Sequence, residues 1–229
     1  MIRPKIFYLV LILFCHTASF SQVQIQTLIV RAGEDPFVVL PFGYRYLNKE
    51  YKDGRLGFQM GLQSNPYKFN LDLLTGKLTF INERKDTMAV QEDVTVKYWY
   101  VGKDAYYHDP LEGYFKILAI DTLGKLASHV ELIHYVPTNI GYGTTKIRTT
   151  SIETAGVGKE QTFERTLRYV LIDNHGTISH LDKKELLMMF NPYEDKIKAF
   201  MKKNKTSFKK EEDLVKLFEY CHSLGSLKE

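Results

Sequence analysis

DVTVKYWYVGKDAYYHDPLEGYFKILAIDTLGKLASHVELI, residues 93–133, is the stretch whose reading decides the fold. It is the densest tract of aromatic and β-branched residues in the chain, and turn residues break it at regular intervals. Val94, Val96, Tyr98 and Tyr100 alternate with Thr95, Lys97, Trp99 and Val101, a period of two that predicts a strand with one set on each face. Thr95 and Lys97 make the second set the more polar one, so the alternation assigns Trp99 to the solvent-facing side. Turns are expected at Gly102 to Asp104, Pro110 to Gly113 and Asp121 to Gly124, with strands between them over Tyr106 to His108, Tyr114 to Ile120 and Leu126 to Ile133. Strands joined by such short turns form an antiparallel meander, which supplies the core.

Working outward, Val23 to Val30 and Phe37 to Leu40 read as strands separated by Gly33-Glu34-Asp35-Pro36. Asp53-Gly54 is a hairpin signal with Arg55 to Met60 returning. Tyr67 to Ile81 forms a second hairpin turning at Thr75-Gly76, and Thr87 to Val90 is a brief strand. Pro137 to Gln161 is rich in Thr and Gly and poor in large apolar residues, a composition that predicts a long flexible loop suited to a partner. Leu167 to Ile172 and Thr177 to Leu181 flank a turn at Asn174-His175-Gly176. From Asp182 the period changes to that of a helix: Asp182 with Glu185 is a capping box, and Asn191-Pro192 restarts a second helix. The last helix aligns Leu214, Leu217, Phe218 and Cys221 on one stripe. Strands followed by helices predict an α+β protein: a large antiparallel sheet or barrel-like domain over residues 22–181, and a helical C-terminal segment over 182–229 packed on it.

Residues 1–21 stand apart. Arg3 and Lys5 precede the apolar run Ile6 to Phe14, and small residues follow up to Ser21, the pattern of a secretory signal peptide. The expected mature chain begins at Gln22 and resides in the periplasm, at the outer membrane or outside the cell. Loss of Arg3 and Lys5 takes the 31 basic residues to 29 against 27 acidic ones, a balance that gives no reason to expect a nucleic-acid partner. No later apolar run is long enough for a transmembrane helix. Cys221 is then the one remaining cysteine, so no internal disulfide is available and the thiol reads as a small core hydrophobe.

The segment Tyr46-Leu47-Asn48-x-Glu50-Tyr51-x-x-Gly54, the Tyr67-to-Phe80 hairpin, the Gly113-Tyr114-Phe115 strand and the tail FKKEEDLVKLFEYCHSL (residues 208–224) resemble a group of exported proteins of Bacteroidota. The likeness covers most of the mature chain. It implies export and a β-then-helical order, and it carries over no catalytic residue. Members often read Gly-Ser-Pro ahead of the Tyr-Leu, where this chain has Phe42-Gly43-Tyr44-Arg45.

A search for chemistry returns no catalytic constellation, no cofactor and no metal site. His-Glu-x-x-His and Cys-x-x-Cys are missing, and His129 and His134, five apart, fall on opposite faces of a regular strand. Asp173 to Ile178 fails as a calcium loop because Leu171 falls where the first carboxylate belongs. Gly141 to Lys146 lacks the Gly-Lys-Ser/Thr ending of a phosphate loop, and there is no Gly-x-Ser-x-Gly elbow. What stands out is 15 Tyr and 14 Phe. Most are expected in a β core, but exposed rings also stack on sugars or grip peptides. Trp99, Tyr106 and Tyr107, with Tyr142 in the Thr/Gly stretch, are the candidate binding residues. The expected function is a non-enzymatic envelope module recognising a protein, peptide or glycan. The alternatives are a cell-envelope hydrolase with its acid and base on separate strands, and a barrel holding a small apolar ligand.

Overall fold

The computed structural model describes residues 26–91, 95–122, 124–140, 143–149 and 160–225, the side chains of 26, 136–140 and 143–149 excepted. The signal segment and Tyr142 lie outside the described residues. Among the described residues twelve strands form one antiparallel sheet: β1 (Gln26–Val30), β2 (Lys52–Phe58), β3 (Tyr67–Asp72), β4 (Lys77–Ile81), β5 (Thr87–Ala89), β6 (Val96–Val101), β7 (Asp104–Asp109), β8 (Gly113–Asp121), β9 (Gly124–Ile140), β10 (Gly143–Thr149), β11 (Gln161–Asp173) and β12 (Ile178–His180). Their spatial order is β1-β11-β9-β8-β7-β6-β2-β3-β4-β5, with β10 beside β9 and β12 beside β11. The expected meander is β6 to β9, and the Tyr67-to-Ile81 hairpin is β3 with β4. The barrel is not closed: β1 and β5 end the path.

Three expectations about the sheet are corrected. Phe37 to Leu40 is not a strand: Pro36–Val39 forms a helical turn, α1, because the Asp35 carboxylate caps the Phe37 N–H at 2.9 Å and Pro36 sits at a starting position. Asp53-Gly54 is not a turn but lies inside β2, paired with β3 and β6. Residues 137–149 do not loop out: β9 runs on to Ile140 and pairs with β10 from Gly143↔Ile140 to Thr149↔His134, and Gln161 already opens β11. Thr and Ile along this stretch suit a paired backbone even without large apolar side chains.

The sheet curls, and a short strap shows it. After α1, a second helical turn α2 (Phe42–Arg45) leads into residues 46–51. Leu47 donates its N–H to the Leu71 carbonyl of β3 at 2.9 Å, and its own carbonyl accepts from Arg165 Nη2 of β11 at 3.1 Å. In a flat sheet β3 and β11 are six strand spacings of about 4.8 Å apart, or about 29 Å. One residue bridges them only if the sheet rolls up around its inner face.

The strap is fastened on both sides. Arg165 Nη1 also donates to the carbonyls of Gly43 (2.6 Å) and Tyr46 (3.2 Å), and the Tyr44 hydroxyl donates to the Phe163 carbonyl at 2.8 Å. On the β3 side Arg45 pairs with the buried Asp72 carboxylate at 2.6 Å, and buried Asn70 both accepts from the Asn48 N–H (3.0 Å) and donates to its carbonyl (2.9 Å).

The rolled inner face buries Leu56, Phe69, Leu71, Leu78, Trp99, Val101, Tyr106 and Tyr114. Under the strap it buries Val30, Leu40, Tyr44 and Phe163. Elsewhere Leu126, Tyr169, Leu171 and Leu181 meet the helices α3 (Lys183–Met189), α4 (Glu194–Asn204) and α5 (Glu211–Gly225). The expected cap is present: the Asp182 carboxylate accepts from the Glu185 N–H at 2.8 Å. Asn191–Tyr193 forms a 3-10 turn rather than the start of the second helix. Leu214, Leu217, Phe218 and Cys221 face the core as their spacing requires, and burial pushes the Cys221 thiol up to about 12.

Candidate functional site

The outer face of the meander carries a ladder of rings. Tyr98 of β6 lies opposite Tyr107 of β7, Tyr107 opposite Phe115 of β8, and Phe115 against His129 of β9, which faces Arg168 of β11. Tyr98 stacks with Tyr100 at 5.9 Å and 29°, and meets Tyr107 edge-on at 6.0 Å. Phe115 and His129 are 4.6 Å apart. Phe115 is fully buried beneath Arg168, whose guanidinium lies 5.7 Å above the ring and pairs with Glu112 at 2.8 Å. The accessible end is therefore the tyrosine end. Tyr100 is exposed, and Tyr98 and Tyr107 are half-buried.

Two glycines make room for these rings. A Cβ on Gly57 of β2 would lie 2.8 Å from Cε2 of Tyr100, and one on Gly176, in the turn between β11 and β12, 3.0 Å from the Tyr107 hydroxyl. Lys97 Nζ sits 5.9 Å over the Tyr98 ring, and Lys125 Nζ 5.8 Å over Tyr107. Burial raises both the Tyr98 and the Tyr107 phenol, so at neutral pH each is an uncharged donor and acceptor.

A cleft of about 390 Å³ opens beside Tyr107, lined by Gln59, Val96, Lys97, Tyr107, His108 and Pro110. His108 Nδ1 donates to the Val96 carbonyl at 3.0 Å, since a carbonyl only accepts, and the ring is buried behind the cleft, stacked on Tyr114 at 4.5 Å. The cleft offers an amide, a cation and an aromatic wall. That set binds hydroxyl-rich ligands.

The sequence-based candidates divide. Trp99 is 0% exposed, stacked on buried Tyr106 at 4.5 Å and edge-on to Tyr114 at 6.1 Å. Both belong to the core, which corrects their assignment to a solvent-facing platform. The cause is a β-bulge: β2 pairs Gly57 with Tyr98 but Phe58 with Val96, so Lys97 is the extra residue and the alternation slips there. Tyr107 does face outward, on the side opposite Trp99. Tyr98 and Tyr100 complete the site and were missed; a glycine within a strand, Gly57, was the available signal of a bulge. On β9's two faces, His129 packs tilted against Phe115 and His134 stacks on Phe163 at 4.7 Å. Among the described residues no group of three or more His, Cys, Asp or Glu is arranged to hold a metal ion.

The chain matches no protein-family model, no curated protein and no solved structure.

Proposed function

We propose that this protein is a non-enzymatic binding module, exported to the cell envelope, that recognises a glycan strand across Tyr100, Tyr98 and Tyr107. The observation that carries the reading is this row of tyrosines, held open by Gly57 and running into a cleft with Lys97 and Gln59. Ring faces at this spacing stack on the C–H faces of successive sugars, while neutral phenols and the Gln59 amide exchange hydrogen bonds with hydroxyls. The rolled interior is filled by Trp99, Phe69, Leu78 and Tyr114, which is why the ligand is assigned to the outer face. The residue pattern of positions 1–21 supports the exported location.

The test is titration of the chain from Gln22 with soluble envelope polysaccharides and their oligosaccharides, followed by calorimetry. Tyr100→Ala and Tyr107→Ala are each expected to weaken binding about tenfold, the loss of one stacking partner of about 1.4 kcal/mol. Binding that both variants leave intact, or that only unfolded protein loses, would put the ligand elsewhere.

A further inference from the structure

The helical segment carries a second surface of a different character. From Lys183 to Lys210 the sequence has nine lysines, no arginine and three acids, whereas the rest of the chain has 22 basic and 24 acidic residues. All nine lysines are exposed. Only Lys198 is paired with a carboxylate, that of Glu194; Lys183, Lys184, Lys202, Lys203, Lys205, Lys209 and Lys210 have no such partner among the described residues. Against this field lies a groove of about 630 Å³ between α3 and α4, lined by Lys183, Lys184, Leu187, Met188, Asn191, Glu194 and Lys198. Met188 is 61% exposed there, although its neighbours Leu186 and Phe190 are packed in the core.

We propose that this corner docks on an anionic phospholipid surface, with lysines over the phosphates and Met188 and Leu187 at the headgroup boundary. Charge complementarity argues for an anionic partner. The residue type argues for a lipid surface rather than one acidic peptide: lysine ammoniums are hydrated point charges that follow a diffuse field, whereas fitting individual carboxylates favours the planar fork of arginine. An exposed methionine at the centre of the cations suits a boundary with acyl chains rather than a bare polyanion. The surface is separate from the tyrosine row and does not depend on the glycan reading.

The experiment is co-sedimentation of the chain from Gln22, which keeps every described residue, with vesicles of 30% phosphatidylglycerol in phosphatidylcholine and with phosphatidylcholine alone. Binding is expected only to the anionic vesicles and is expected to fall steeply between 0.05 and 0.5 M salt. Each lysine near such a surface is worth about fivefold, so the Lys183→Gln, Lys184→Gln double variant should bind about 25-fold more weakly. Met188→Ser should also weaken vesicle binding, and Tyr100→Ala should not; circular dichroism checks each fold. Equal binding to neutral vesicles, or no loss with the lysine variant, overturns the proposal. Binding to heparin or duplex DNA as tight as to vesicles, with Met188→Ser silent, overturns it in favour of a soluble polyanion.

Discussion

Two glycines in the same strand test both the core and the site. Gly54 sits in β2 opposite Val101, and a Cβ there would lie 2.4 Å from the Tyr100 carbonyl oxygen and 3.3 Å from both the Phe69 ring and the Trp99 indole nitrogen. Carbon–oxygen contacts normally stop near 3.3 Å, so Gly54→Ala overlaps a backbone atom by about 1 Å. That oxygen belongs to a paired strand, and relief requires β6 to move off β2. The expected cost is at the upper end for overpacking, about 3 kcal/mol. Gly57→Ala overlaps the Tyr100 ring, at 2.8 Å, while Tyr98 Cβ at 3.4 Å is in ordinary contact; the Tyr100 ring is exposed and turns aside for about 1 kcal/mol. With a urea slope of about 2 kcal/mol/M, the midpoints fall by about 1.5 M and about 0.5 M respectively. The single tryptophan, buried against Tyr106, reports the transition by fluorescence. Gly57→Ala should in addition lose ligand affinity, because Tyr100 has left the row. Equal midpoints for the two variants would refute the close approach of β6 to β2 on which both calculations rest.

Three further outcomes are expected. Arg45→Met strands the buried Asp72 carboxylate and should cost about 3 kcal/mol by urea denaturation, while the double variant Arg45→Met, Asp72→Asn should recover part of it. Burial holds both His129 and His134 below the usual imidazole range, against the pull of the Tyr114 carbonyl on His129. The unfolded chain takes up their protons near pH 6.5 and the folded one resists, so stability is full above about 6.5 and declines as pH falls below it. His129→Gln should flatten the fall in urea midpoint between pH 7.5 and 5.5; an unchanged slope assigns the acid sensitivity elsewhere. Cys221, buried with its thiol raised to about 12, should resist iodoacetamide at pH 8 in the folded protein and label fully in urea.

Much of the architecture was legible because local signals agreed with it. The Tyr67–Ile81 hairpin, the turns of the meander and the Asp182–Glu185 cap all rest on contacts within a few residues. Two of the misreadings share one cause, which is that the deciding partner is distant in sequence. Gly54 reads as a turn glycine beside Asp53, but what requires it is the Tyr100 carbonyl of another strand. Trp99 reads as outward by parity, and only the offset between Gly57 and Phe58 reveals the slip. Phe37 to Leu40 has the β-branched residues of a strand, and a cap at Asp35 with Pro36 overrides them. The tyrosine row could not be seen as a row, since the register between β6 and β7 brings Tyr107 beside Tyr98.

The strap also imposes an order of events on the chain. Its closing contacts run from Gly43, Tyr44 and Leu47 to Phe163 and Arg165, at separations of 118 to 122 residues. At a ribosomal pace of about 5–20 residues per second, the strap waits roughly 6–24 s for its anchor to be made. The β6–β9 meander is by then complete and has only short turns to close, whereas the strap closes a long loop. Joining the two limbs is thus the slow, late step in assembly. In the native state the same seam is where opening should begin: amides of residues 44–48 and of β1 should exchange with solvent ahead of those in β6, β7 and β8.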